Sequence, residues 1–245
     1  IKQLWSCLLQ KRNLYFEYLK ESLYLDHMGN SEEIIDKEAL ARSRARSDKK
    51  DNFLQKLAVQ EIKDRLKFIK KRFEKILIIC NNSYYWQNAF NEADFISDDE
   101  ILKFPRADYD LVIHGMSLHY SNDPIGQLIQ CRSFMEKGGL LLGIFLGGQT
   151  LNELRAAIAS AEIELTGGIS PRVLPMIDIR DAGSFLMRAG FSLPVADISV
   201  NEIDYKKPLD LLYDLRKMGE TNVQKHRLKK FSHRKLFSLT SDKYI

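Results

Sequence analysis

The sequence has little cysteine, no long apolar run and no large excess of one charge, and each shortage removes a class of protein. Its three cysteines, Cys7, Cys80 and Cys131, are odd in number and widely spaced among 245 residues. They supply neither a disulfide framework nor a zinc-ligand set, and they point to a reducing compartment. The apolar stretches fall far short of a membrane span, and no secretory pattern opens the chain. A net charge of +4 does not announce a nucleic-acid binder. What is present is ordinary for a folded protein: 44% hydrophobic and 29% charged residues, which exclude wholesale disorder. The length suits one α/β domain with an added terminal segment. A chain opening on Ile1 rather than Met is expected to be processed, trimmed or a fragment.

Residues 1–25 place Leu4, Leu8, Tyr15, Leu19 and Leu23 among charged residues, which predicts an amphipathic helix. It packs on its own domain, on a partner or on a membrane surface; the pattern fits all three. The run from Glu32 to Asp51 is dense in charge, including Arg42, Arg44, Arg46, Lys49 and Lys50. Such a run is either a solvated helical face or a phosphate-binding one. Residues 53–73 predict a helix from Phe53, Leu57, Ile62, Leu66 and Ile69. Three short apolar runs follow, over 76–79, 111–113 and 140–145, each read as a buried parallel strand. A helix over 124–135 and the Gly138-Gly139 turn lie between the last two, the signature of a right-handed crossover. Further helices are predicted over 149–165, stopped by Gly167-Gly168, over 181–189, stopped by Gly190, and from Pro208 to Lys217. A strand is predicted over 195–200, and residues 225–235 are basic, with Phe231 and Phe237 in or near them but no recognisable nucleic-acid module.

Three stretches go beyond a generic α/β reading. Phe104-Pro105 and the segment Tyr109-Asp110-Leu111-Val112-Ile113-His114-Gly115-Met116-Ser117-Leu118-His119-Tyr120 resemble the fourth-strand region of class I S-adenosylmethionine-dependent methyltransferases. Met135 to Leu140 resembles the turn before their fifth strand. Gly147 to Arg155, Ala161-Glu162, Gly167 to Pro175 and Asp214 to Asn222 resemble one branch: malonyl-carrier-protein methyltransferase of biotin synthesis and mitochondrial complex I assembly factor 5, with alphaproteobacterial relatives. The match covers residues 35–240, opening at Ile35-Asp36-Lys37-Glu38-Ala39-Leu40.

The resemblance implies a Rossmann-like α/β sheet with flanking helices in a domain over 32–245, preceded by a helical extension over 1–31. It also exposes departures. Methyl transfer needs its donor held in line and dry. The family does this with a glycine-rich turn after the first strand and a carboxylate after the second, by the logic of dinucleotide sites. Here the turn is Cys80-Asn81-Asn82-Ser83 followed by Tyr84-Tyr85-Trp86, without glycine or acid. Asparagine tolerates left-handed backbone, so the turn is expected to survive in that form. The interval from Cys80 to Asp110 holds 31 residues, whereas two further strands and their crossovers need at least about 45. A missing or shortened second strand is expected, and a missing seventh, since only Thr240 to Ile245 follow Leu239. The end of the domain is therefore expected to be truncated or completed by another chain.

By resemblance, a methyl donor, if bound at all, meets Cys80, Asn81, Asn82, Asp98, Asp99, His114, Gly115 and Met116, with Asp98 or Asp99 toward adenine. Glu92 and Asp94 are weak substitutes for the ribose acid. His114 and His119 read as general bases or as pocket walls. His119, Arg155, Glu162 and Arg172 form an expected substrate or partner surface, the last three alternatively a structural ion-pair network. Cys80 is expected to be inert, and no metal set is expected. Three functions follow: methyl transfer or related chemistry, a cofactor-free assembly or binding role toward a protein partner or carrier protein, or a decayed product. The expected compartment is a bacterial cytoplasm or a mitochondrial matrix.

Overall fold

The computed structural model describes residues 33–244. The amphipathic helix expected over 1–25, its Cys7 and the extension over 1–31 lie outside them. Several helices begin where a polar side chain accepts an N–H that the helix leaves unpaired. Asp36 does so for α1 (Lys37–Ala45), Asn52 for α2 (Phe53–Lys67) and Asp123 for α4 (Pro124–Ser133). Between them α3 (Tyr84–Ala89) is a short helix without a side-chain cap. Later come α5 (Asn152–Thr166), stopped by left-handed Gly167 as expected, α6 (Ile179–Arg188), α7 (Pro208–Met218), stopped by left-handed Gly219, and α8 (Arg234–Lys243).

The sheet contains β1 (Ile76–Cys80), β2 (Asp94–Ile96), β3 (Tyr109–Gly115) and β4 (Met135–Ile144), in spatial order β2-β1-β3-β4. All pairs are parallel. Six residues, Leu77, Ile78, Ile79, Leu111, Val112 and Ile113, have no exposed surface, because helices and loops cover both faces. Strand alternation sorts them. Ile78, Leu111 and Ile113 pack with Ala58, Val59 and Ile62 of α2 on one face. Leu77, Ile79 and Val112 meet Leu102 and Cys131 on the other.

The sequence expectations meet two differences and one agreement. Gly138-Gly139 does not precede the strand: pairing jumps from Tyr109↔Met135 to Leu111↔Leu140, so residues 136–139 bulge from within β4. The positive φ of 82° at Gly138 permits that bulge. Residues 195–200 form no strand, and Val195, Ile198 and Val200 are exposed; alternation marks a segment able to pair, but a ladder needs a neighbour, and this one has none among the described residues. The interval between β1 and β3 holds one strand, β2, three residues long and beside β1, in keeping with the short interval. No strand follows β4 among the described residues, and the chain's last described element is α8.

Candidate functional site

In a parallel sheet, ligands enter above the carboxyl ends of the strands. Cys80 closes β1 and pairs in register with Gly115, which closes β3. Asp98 lies two residues past β2, so Cys80, Asn81, Asn82, Asp98, Asp99, His114, Gly115 and Met116 all gather at that end of the sheet. An indole packs against three of them, Cys80, Gly115 and Met116. Trp86, projecting from α3, has no exposed surface. A Cβ built on Gly115 would sit 2.6 Å from its Cζ2 atom, so the indole lies directly on the β3 backbone. Trp86 Nε1 donates to Gln55 Oε1 at 2.7 Å, giving the ring its polar partner from α2.

The turn after β1 differs from expectation. Neither Asn81 nor Asn82 is left-handed; the positive φ falls instead on Met116, at 53°. Asn82 Oδ1 accepts the Tyr84 N–H at 3.1 Å and its Nδ2 donates to the Lys49 carbonyl at 3.0 Å. The side chain closes the turn itself. Tyr85 donates its hydroxyl proton to the Lys50 carbonyl, which fastens residues 49–50 beside the strand ends.

Asp98 is buried and takes both its oxygens to Arg44, at 2.8 and 2.7 Å. This is a bidentate ion pair between α1 and the segment after β2. The same guanidinium stands 5.6 Å from the centre of the Tyr120 ring. Asp99 is exposed and accepts from Ser97. Glu92 is exposed, and Asp94 begins β2 at the opposite end of the sheet, where Tyr109 and Arg106 hold it at 2.9 and 2.8 Å. A cleft of about 200 Å³ runs beside the Arg44–Asp98 pair, lined also by Lys37, Leu40 and Glu100. That is below the ~300–1,000 Å³ of small-molecule sites. At this end of the sheet an indole packs on Gly115 and the buried acid is engaged by Arg44.

Buried groups nearby are not set for covalent chemistry. Burial pushes the Cys80 thiol up to about 12, so it stays protonated and inert. His114 is wholly buried, with Gln127 Oε1 at 3.2 Å and Ser117 Oγ at 3.4 Å, and burial depresses it to about 4. Gln127 also donates to the carbonyls of Asp98 and Asp99, tying β3 to that segment. His114 is therefore a neutral wall residue near neutral pH. As pH falls from about 6.5 toward 4, the unfolded chain takes up a proton that the folded chain refuses. Stability should decline across that window by on the order of 3 kcal/mol, read from urea midpoints at its two ends. Equal midpoints would contradict this assignment.

His119 Nε2 lies 3.3 Å from Glu220 Oε2, which also accepts the Tyr120 hydroxyl at 2.6 Å, while His119 Nδ1 is buried without a partner. His119 does not join the other three residues expected on a partner surface. Those do come together. Glu162 accepts from Arg172 Nη2 at 2.6 Å and Nε at 3.1 Å, and from Ser170 N and Oγ at 2.8 and 2.6 Å. Arg155 Nη2 donates to the Leu174 carbonyl at 3.0 Å. Arg155 and Arg172 line a cleft of about 330 Å³ between α5 and residues 169–173. Sequence reasoning missed Arg44, Gln55, Tyr120 and Glu220; Arg44 and Asp98 are 54 residues apart, and no local pattern links them. Among the described residues, no group of three or more His, Cys, Asp or Glu is arranged to hold a metal, and no helix is long and apolar enough to cross a membrane.

No family model matches the chain. Over 127 residues it is 36% identical to the mitochondrial arginine-hydroxylase NDUFAF5 of Danio rerio, covering 52% of this chain and 40% of that protein. The human protein of the same name is 37% identical over 52% of this chain and 37% of its own length. A malonyl-[acyl-carrier protein] O-methyltransferase of Methylovorus is 33% identical over 54% of this chain and 42% of that enzyme. The chain thus spans about two fifths of the length of these relatives.

Proposed function

We propose that the chain, similar to NDUFAF5 and to the malonyl-[acyl-carrier protein] O-methyltransferases, acts as a protein-binding member of the class I methyltransferase family whose donor site is closed. One observation carries the reading: Trp86 fills the crevice over Gly115 while Arg44 holds both oxygens of Asp98. A nucleoside would have to displace a buried indole and break a buried ion pair, at several kcal/mol each. Binding energy of that size is not in prospect from a turn with no glycine. The role is then assembly or docking, with the surface at Arg155 toward a protein partner or carrier protein. Kinship with NDUFAF5 favours the mitochondrial matrix for a eukaryotic chain, and the cytoplasm for a bacterial one.

A second reading keeps methyl transfer. It is favoured by the gathering of the eight expected donor residues at one sheet end and by the unpartnered Nδ1 of His119. Calorimetry with S-adenosylmethionine separates the two. The closed-site reading expects no heat of binding up to millimolar donor. Saturable binding in the micromolar range would overturn it and restore the enzyme.

A further inference from the structure

The cleft beside α5 has a feature the fold does not use. Its walls are largely apolar, built from Ile158, Ile169, Pro171 and Val173, and its polar residues are the two arginines and Ser170, which is bonded to Glu162. Each nitrogen of Arg172 makes a bond, Nε and Nη2 to Glu162 and Nη1 to Ser232 Oγ at 2.7 Å. Arg155 differs. It makes one hydrogen bond, to the Leu174 carbonyl, and no ion pair with a described residue. A half-buried guanidinium facing an apolar trough has donors left for an anion, and the trough disfavours a freely hydrated one.

The cleft is also held rigid. Glu162 receives four hydrogen bonds from Ser170 and Arg172, and Asn222 Nδ2 donates to the Pro171 carbonyl at 2.8 Å. A wall fixed in this way need not be ordered when a guest enters. Its surroundings are predominantly basic, with Glu164 paired to Lys243 nearby. The Ser232 contact and the packing of Leu236 against Ile158 and Ala161 bring residues 229–235 alongside. There Lys229, Lys230, Arg234 and Lys235 are exposed, with no side-chain hydrogen bond or ion pair to a described residue, around a fully exposed Phe231. An unpaired cationic rim with an aromatic at its centre matches an acidic protein surface with apolar residues interspersed.

We propose that this cleft docks an acidic segment of a partner protein, one carboxylate on Arg155 and its aliphatic neighbours between Ile169 and Pro171. The proposal rests on the binding-protein reading and gives it a partner chemistry. The test is fluorescence anisotropy of the full chain with a fluorescein-labelled peptide of alternating leucine and glutamate. Comparison probes are the leucine–glutamine peptide and a single-stranded oligonucleotide of matched charge. Arg155→Ala should weaken the glutamate peptide at least about tenfold, and Arg155→Lys should recover it only in part. Ile169→Asp, at an exposed position, should weaken it as much without changing the thermal melt. Affinity within about twofold in both Arg155→Ala and Ile169→Asp overturns the proposal. So does equal binding of the glutamine peptide, or tighter binding of the oligonucleotide. Donor calorimetry on the same protein keeps the two readings apart. Donor binding with the peptide effect intact removes the closed site alone, and loss of the peptide effect without donor binding removes the cleft alone.

Discussion

Trp86→Ala should lower stability by about 3–5 kcal/mol, the range for deleting a buried large aromatic. In a chain of this size that is a drop in Tm of roughly 6–20 °C. The indole has no exposed surface and packs in the cluster formed by Ala58, Ile62, Ile78, Ile113 and Met116. It stacks with Phe90 at 6.3 Å between ring centres. Losing Nε1 also leaves the buried Gln55 oxygen without its donor, a penalty of about 1–3 kcal/mol by itself. Urea unfolding followed by circular dichroism gives the number. A loss under about 1 kcal/mol would mean that the ring does not carry the packing of that cluster. The variant also tests what closes the site. Because Asp98 stays paired with Arg44 and the turn still has no glycine, the enlarged crevice should remain without affinity for the methyl donor. If Trp86→Ala binds it, the tryptophan alone is the barrier.

The sheet was legible because its residues announce themselves twice, by composition and by spacing. Ile76 to Ile79 and Leu111 to Ile113 are continuous apolar runs, which helices on both faces require, and the glycine stop at 167 falls where read. The arithmetic of the interval from Cys80 to Asp110 also gave the right answer, since only a three-residue strand fits there. What could not be read is relational. Residues 195–200 have the alternation of a strand, but whether they pair depends on an edge elsewhere in the chain. The charge run from Glu32 to Asp51 reads as a solvated face or a phosphate-binding one, and Arg42, Arg46, Lys49 and Lys50 are exposed. Arg44 is the exception, with its side chain only 17% exposed against Asp98, because one turn of α1 faces the end of β2. No local signal separates Arg44 from Arg42 or Arg46. The Asn81-Asn82 turn misled in a similar way: asparagine is able to be left-handed, yet here its side chain makes the turn's hydrogen bond instead.

Glu162→Ala should be as damaging as loss of the tryptophan, for an electrostatic reason. Burial alone would raise this carboxyl, but the hydrogen bonds from Arg172 and Ser170 outweigh it and hold it below the ordinary carboxylate value. It is therefore ionised at neutral pH, and its stabilisation is complete above the ordinary carboxylate range and lost as pH falls from there through the lowered folded value. Its side chain is 4% exposed and that of Arg172 17%. Removing the acid leaves a largely buried guanidinium and the Ser170 donors unpaired, which typically costs about 3–5 kcal/mol. The apolar pair Glu162→Leu with Arg172→Met is the informative control, because it removes both charges. If the ion pair is structural, the double variant should recover most of the loss and melt within a few degrees of the parent. The same variant releases residues 169–173, so the cleft beside Arg155 should lose its shape. Recovery of the melt with loss of the acidic-peptide affinity would show that Glu162 holds the wall of a docking site as well as the end of a helix. A double variant no more stable than Glu162→Ala would sink the electrostatic account, because the damage would then come from volume and shape rather than from an uncompensated charge.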